Sequence, residues 1–279
     1  MLTSSFCFVK GLNPEQERAL WAKGITSWQL ARAHQDEIAA LFGVSRAGKL
    51  IELINAADAA ATTGDAAWYK ANWPLEEAWR LWKGYATREH IALVDIETTG
   101  LTPGYDQITV IGLADGTRSR VFVGGKPQPG DDGLDVFCEA IKAYRLIVTF
   151  NGHKFDLPFI ERHFRDQSFH FELPHLDIMY PARASGLTGG LKDMEKAVGI
   201  VRADDIKDMR GLEAIQLWGQ WKQGDLKAYQ RLTTYCKADC VNLAAFTDAI
   251  WKRRWDAVYT PHARHVDFAA TKGQQLSIF

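Results

Sequence analysis

Acidic side chains at three separated places carry the chemistry of this sequence. Asp95 and Glu97 stand two apart at the end of Ile91-Ala92-Leu93-Val94-Asp95-Ile96-Glu97, a short apolar run with β-strand character. Residues two apart on a strand leave the same face of a sheet. Thr98-Thr99-Gly100 breaks the run, so the pair sits at its open end. Asp156 closes Asn151-Gly152-His153-Lys154-Phe155-Asp156 after a second apolar strand, Leu146 to Phe150, at the start of a helix. Tyr235 and Asp239 are four apart on a long helix and share one of its faces. Two like charges about 4 Å apart repel by roughly 4 kcal/mol at an effective dielectric near 20. Each pair alone is commonplace; were the four carboxylates to converge, they would need cations among them or would have to stay partly protonated. Hard oxygen donors suit Mg²⁺ or Mn²⁺, and two such ions can assist an in-line displacement at phosphorus. Tyr235 would orient the attacking water, because a phenol with a pKa near 10 is a poor general base.

The elements that must position these groups follow a change of texture near residue 88. Residues 1–88 read as helical. Asn13, Pro14 and Gln16 form a capping-box start, Gly24 suits a helix end, and Ser27 caps the next helix. Ile38 through Ile54 is a third helical stretch, and Ala59 to Asp65 reads as a loop. Trp68, Trp73, Trp79 and Trp82 read as packing of the small helical part onto the larger α/β part, rather than as a base-stacking platform. Residues 89–258 read as α/β. Gln107 to Leu113 and Val121 to Val123 are strands joined by a turn at Asp115-Gly116, and Leu146 to Phe150 is a buried parallel strand. Helices are expected at Leu157–Phe164, Leu191–Val198, Leu212–Trp221 and Asp225–Trp251. The expected architecture is a mixed five-stranded sheet flanked by helices, preceded by a small all-α domain, with a flexible tail over 259–279.

Composition sets the frame. The chain has 279 residues, 47% hydrophobic and 24% charged, enough for a sizeable core. A formal net charge of -1 gives no basic field over the whole molecule, so nucleic acid would have to meet local patches such as Lys252-Arg253-Arg254. Cys236 and Cys240 read as buried, reduced thiols rather than a zinc pair, and four scattered cysteines make no disulfide framework. No membrane span or leader peptide is legible, and the chain is read as cytoplasmic.

Asp95-Ile96-Glu97, Asn151 to Asp156, and Tyr235 to Asp239 together resemble the three motifs of the DEDD exonucleases in the subgroup with a tyrosine in the third motif. Thr234 stands where the histidine subgroup carries His. Gly11-Leu12 through Glu17, Leu20-Trp21, Gly24-Ile25, Trp28, Trp79-Arg80-Leu81, His175-Leu176-Asp177 with Arg183, and Leu191-Lys192 through Glu195 to Gly199-Ile200 extend the likeness to the YprB-like branch of ribonuclease H-like proteins.

The resemblance implies two-metal 3′→5′ hydrolysis of DNA ends, with Asp95, Glu97, Asp156 and Asp239 as ligands and Tyr235 beside them. It implies that Glu97 and Thr98 hold the terminal nucleotide and that Leu101 packs against its base. Asn151, His153 and Lys154 are further candidates for substrate contact. Asp177 reads mostly as a structural acid. Val9 to Ile25 looks like a helix-hairpin-helix module in which Asn13 replaces the second glycine. Gln275-Leu276-Ser277-Ile278-Phe279 resembles the peptide by which bacterial proteins dock on the sliding clamp. An RNA-processing exonuclease, a structure-specific endonuclease and a non-catalytic clamp adaptor are the alternative readings.

Overall fold

A computed structural model describes residues 2–203, 209 and 211–259. The expected clamp peptide, residues 275–279, lies outside the described residues, as does the rest of the tail beyond Tyr259.

The chain opens with helices α1 (Pro14–Ala22), α2 (Trp28–Ala33), α3 (Gln35–Phe42), α4 (Val44–Thr63) and α5 (Ala66–Asn72), then a 3₁₀ segment Leu75–Trp82. The expected caps are present. The Asn13 side chain accepts from the Gln16 amide while the Gln16 side chain accepts from the Asn13 amide, and Ser27 accepts from Leu30. Two expectations need correction. Gly43, at φ 89°, splits the third helical stretch into α3 and α4. Helix α4 then continues through the expected loop to Thr63, because its alanines are strong helix formers; Gly64 ends it and Asp65 caps α5.

The second part runs β1 (Ile91–Thr98), β2 (Ile108–Ala114), β3 (Ser119–Val123), β4 (Asp132–Gly133), α6 (Phe137–Ala140), β5 (Leu146–Thr149), α7 (Asp156–His163), β6 (His175–Asp177), α8 (Met179–Ala184), α9 (Leu191–Ala197), α10 (Gly211–Lys222) and α11 (Leu226–Val258). Among the described residues the sheet has six strands, not five, in the order β4-β3-β2-β1-β5-β6. The additional pairing comes from very short elements. β4 has two residues and β6 three, both parallel to their neighbours, and such lengths leave no alternation to read. β1 is central, antiparallel to β2 and parallel to β5.

Both faces of the sheet are covered, which explains why β1, β2 and β5 are almost wholly buried. On one face Ala92, Val94 and Ile96 pack with Phe137, Ile141, Phe159 and Ile160 of the α6–α7 layer. On the other, Ile91 and Leu93 join Leu243, Phe246 and Ile250 of α11 and the helical region in one core. Trp73, Trp79 and Trp82 are buried in that same core, as packing tryptophans should be. The basic run is partly structural too, since Arg254 lies over the Trp79 ring at 5.5 Å.

Candidate active site

The site begins where α11 crosses β1. Asp95 pairs in register with Gly112 of β2. A Cβ built on Gly112 would stand 2.5 Å from Cys240 Sγ and 2.8 Å from Cys236 Sγ. The missing side chain is what lets α11 lie directly on the sheet. The two thiols fill that contact, and both are free and buried. Cys236 Sγ donates weakly to the Asp95 carbonyl at 3.8 Å. Tyr235 and Asp239, one turn apart on α11, are thereby brought over the acidic end of β1. Asp95, Glu97 and Cys236 offer ligand atoms that all lie within 4.8 Å of one another.

The second motif arrives from β5 through a turn with its own support. Asn151 adopts φ 63°, a left-handed conformation that asparagine tolerates better than most residues. Asp177 at the end of β6 fixes this turn. Its Oδ1 accepts from the amides of Asn151 at 2.8 Å and Met179 at 3.2 Å, and its Oδ2 accepts from His153 at 3.1 Å. Its oxygens are thus spent on backbone amides, the structural role read from the sequence. The Gly152 amide donates to Thr149 Oγ1, which also bonds His175 Nε2 at 2.8 Å. Asp156 is the first residue of α7 and is buried at the strand end.

Asp156 and Asp239 stand outside the Asp95, Glu97 and Cys236 group, and their charges act on it. Burial raises the Asp95 carboxyl well above its usual range, and the charges of Asp239, Glu97 and Asp156 add to the effect. Glu97 is raised by burial, then by Asp239 and Asp156, with Lys192 opposing. Asp156 is pushed up to about 7 by burial, while hydrogen bonds from its own backbone and that of Ile96 pull it down. Burial also raises Asp239, against the pull of Arg202. Tyr235 is driven up by burial and by Asp239, Glu97 and Asp95, so its phenol stays protonated at neutral pH.

Such a donor set fits a hard divalent cation. Buried carboxylates that resist ionising together are relieved by positive charge placed among them. Cys236 does not belong to that set, because its bond with Cys240 and burial hold the thiol protonated.

The remaining expected residues fall at different depths. Thr98 is buried and its hydroxyl donates to the Gly100 carbonyl. Leu101 is 80% exposed on the loop that follows β1. His153 and Lys154 are exposed. Three further residues take part that the acidic motifs do not include. Lys192 of α9 places Nζ 4.6 Å from the Tyr235 ring centre. Arg202 forms ion pairs with Asp239 and with Glu195 of α9. The only sequence signal for Lys192 and Glu195 is that Leu191 to Ile200 belongs to the resembling middle segment; Arg202, beyond it, has none.

Comparison with known proteins bears on the fold. No curated protein sequence matches the chain. Among solved structures, the family B DNA polymerase from the hyperthermophilic archaeon Pyrobaculum calidifontis aligns with a TM-score of 0.44 and 15% identity, over 56% of this chain and 23% of its own. The sequence model of the RNase_H superfamily matches residues 92–251, from β1 to near the end of α11 and more than half of the 279 residues. That span holds the central strand and all four clustered acids, and the chain belongs to the RNase_H superfamily.

Proposed function

We propose that this chain is a divalent-metal-dependent 3′→5′ exonuclease acting on DNA ends, of the tyrosine-type DEDD class and the YprB-like branch. What supports the reading is the meeting of Asp95 and Glu97 at the end of β1, with ligand oxygens within 4.8 Å of one another, and the buried Asp156 and Asp239 close enough for their charges to raise both. These four carboxylates would hold two Mg²⁺ or Mn²⁺ ions, which when bound supply positive charge to the attacking water and to the leaving 3′-oxygen. Tyr235, protonated and beside Asp239, orients the water by a hydrogen bond. Lys192, a buried ammonium with no hydrogen-bond partner among the described residues, offers its charge to a non-bridging phosphate oxygen. Leu101, exposed just beyond Glu97 and Thr98, provides an apolar contact for the terminal base. His153 and Lys154 face solvent on the second-motif turn, where an entering strand's backbone would pass. The products are nucleoside 5′-monophosphates.

The test is incubation of the protein with 3′- and 5′-labelled DNA and RNA oligomers and with a circular single strand, in Mg²⁺, Mn²⁺ or chelator. Stepwise loss from DNA 3′ ends is expected with either ion and none with chelator. Asp95→Ala should lower the rate by at least about 10³-fold. A rate that Asp95→Ala leaves unchanged ends the proposal. Preferential loss from RNA, or cutting of the circle, redirects it to the RNA-processing or endonuclease reading. The pentapeptide Gln275 to Phe279 extends the proposal to recruitment by a sliding clamp. Deleting Leu276 to Phe279 should abolish clamp binding and spare hydrolysis, and clamp binding that survives the deletion removes that extension.

A further inference from the structure

The fourth carboxylate of the cluster already has a cation, and the chain itself supplies it. The Arg202 side chain is 5% exposed and lies between two buried acids. Its Nε donates to Glu195 Oε2 at 2.6 Å. Its Nη1 pairs with Asp239 Oδ1. Its Nη2 makes no hydrogen bond among the described residues, and neither does Glu195 Oε1. Val201, the preceding residue, is 90% exposed. The chain therefore runs along the rim of the site and turns one guanidinium inward from it.

A guanidinium on Asp239 Oδ1 and a divalent ion on the same oxygen are competitors. Each satisfies the same buried negative charge, and the oxygen that accepts a charge-assisted hydrogen bond has less density to give a metal. The two bonds of Arg202 are also unequal in consequence. Only Nη1 engages Asp239, while Nε is held by Glu195, which no acidic motif contains. Nη1 can leave Asp239 with the arginine still paired and still buried.

We propose that Arg202 is an exchangeable counter-ion for Asp239: anchored on Glu195, it neutralises that carboxylate in the metal-free protein and yields it to an entering divalent ion. The proposal rests on reading the four acids as a metal centre. The exchange solves a problem that such a centre poses to its own fold. Without any cation, three buried acids and the half-buried Asp95 would have to stay protonated or force the end of β1 away from α11. With a permanent cation, the metal could not enter. A tethered guanidinium keeps the site assembled and remains displaceable. Losing one charge-assisted hydrogen bond costs the entering ion about tenfold or more in affinity.

The experiment is an Mn²⁺ titration of the full chain without nucleic acid, followed by the electron paramagnetic resonance signal of free Mn²⁺. Wild type is compared with Arg202→Met, Arg202→Lys and Lys192→Met, and unfolding midpoints are measured in chelator and in Mn²⁺. Lys192→Met removes the same unit of charge from the same cluster but breaks no ion pair with a carboxylate among the described residues, so it controls for simple electrostatics. Arg202→Met is expected to bind Mn²⁺ about tenfold more tightly than Lys192→Met does, to lose stability in chelator and to regain it with Mn²⁺. Arg202→Lys, too short to bridge both acids, should fall between wild type and Arg202→Met. An Arg202→Met protein that folds only when Mn²⁺ is supplied supports the exchange equally, since ion and guanidinium then replace one another. Mn²⁺ binding by Arg202→Met no tighter than that of Lys192→Met overturns the exchange and leaves the metal centre standing. Absence of Mn²⁺ binding in every protein, wild type included, removes the metal centre and the exchange with it.

Discussion

Two buried charge clusters in this molecule are built from similar groups and differ in how completely they are satisfied. The first joins the helical region to the end of α11. Arg80 is 3% exposed; it donates from Nη1 and Nη2 to the two oxygens of Glu17 at 2.8 and 3.0 Å, and from Nε to Glu77 at 2.6 Å. Its Nη1 also reaches the Tyr259 hydroxyl at 2.9 Å, and Glu17 further accepts from the Phe6 amide at 2.7 Å. The second is the acidic cluster at the end of β1. Asp95 and Glu97 are raised by burial and by the charges of Asp239 and Asp156, and Lys192 Nζ and Arg202 Nη2 beside them have no hydrogen-bond partner among the described residues. The bonds of the first cluster are spent inside the protein, so it can only hold shape. The second keeps capacity in reserve, as a binding site must. Burial of charge alone would not have separated them.

The comparison breaks most visibly in stability. Arg80→Met leaves Glu17 buried and unpaired, and should cost about 3–5 kcal/mol in urea unfolding. Asp95→Asn removes a charge that its neighbours already resist, so in chelator it should raise the unfolding midpoint while hydrolysis is lost. Equal destabilisation by both substitutions would mean that the acidic cluster is a structural network like the first.

Gly112 tests how the second cluster is assembled. Its Cβ has no room against Cys236 and Cys240, and the Cys236 carbonyl oxygen is only 3.1 Å away. Gly112→Ala should lower stability by about 1–3 kcal/mol through overpacking. It should also lower activity more than stability, because α11 carries Tyr235 and Asp239 away from Asp95 and Glu97. Restoring space with Cys240→Ala on that background should recover part of both. An alanine accepted without loss of either would mean that α11 has slack at this crossing.

Legibility in the sequence tracks the range of the interaction responsible. Caps at Asn13 and Ser27 and the turn at Asp115-Gly116 are local chemistry, and they appear where the residues put them. Strand and helix periodicity put Asp95 with Glu97, and Tyr235 with Asp239, on common faces, but each pair alone is commonplace; the three motifs were legible as a set through their resemblance to a known family. β4 and β6 were not, since two or three residues become a strand only when a neighbour pairs with them. The segment Ala59 to Asp65 looked like a loop by its small residues, yet alanine favours helix and only Gly64 and Asp65 end it. Glu195 and Arg202 were invisible as partners because nothing in a sequence says which solitary charges will meet. Gly112 likewise reads as an ordinary glycine until a helix lies across it.

The finest distinction between the two regions is the sign of charge that the ground beneath the second motif accepts. His175 lies on β6, buried, with Nε2 on Thr149 Oγ1, and that hydroxyl supports the Gly152 amide. Burial, helped by the neighbouring His153, pushes its pKa down to about 3, below the ordinary value of 6.5. The folded protein thus holds His175 neutral, while the unfolded chain takes up a proton near pH 6.5. A group with a depressed folded pKa favours folding above its unfolded pKa and withdraws that support as pH falls. Stability should therefore drop by about 1.4 kcal/mol for each pH unit below about 6.5 on account of this one residue. His175→Gln keeps a polar partner for Thr149 without the titration, and should flatten the slope between pH 6.5 and 5 in urea unfolding. Chelator should not alter that difference, since His175 is spent on the turn and not on the carboxylates. An equally steep slope in His175→Gln would assign the acid sensitivity to other groups and leave the turn without its proposed pH dependence.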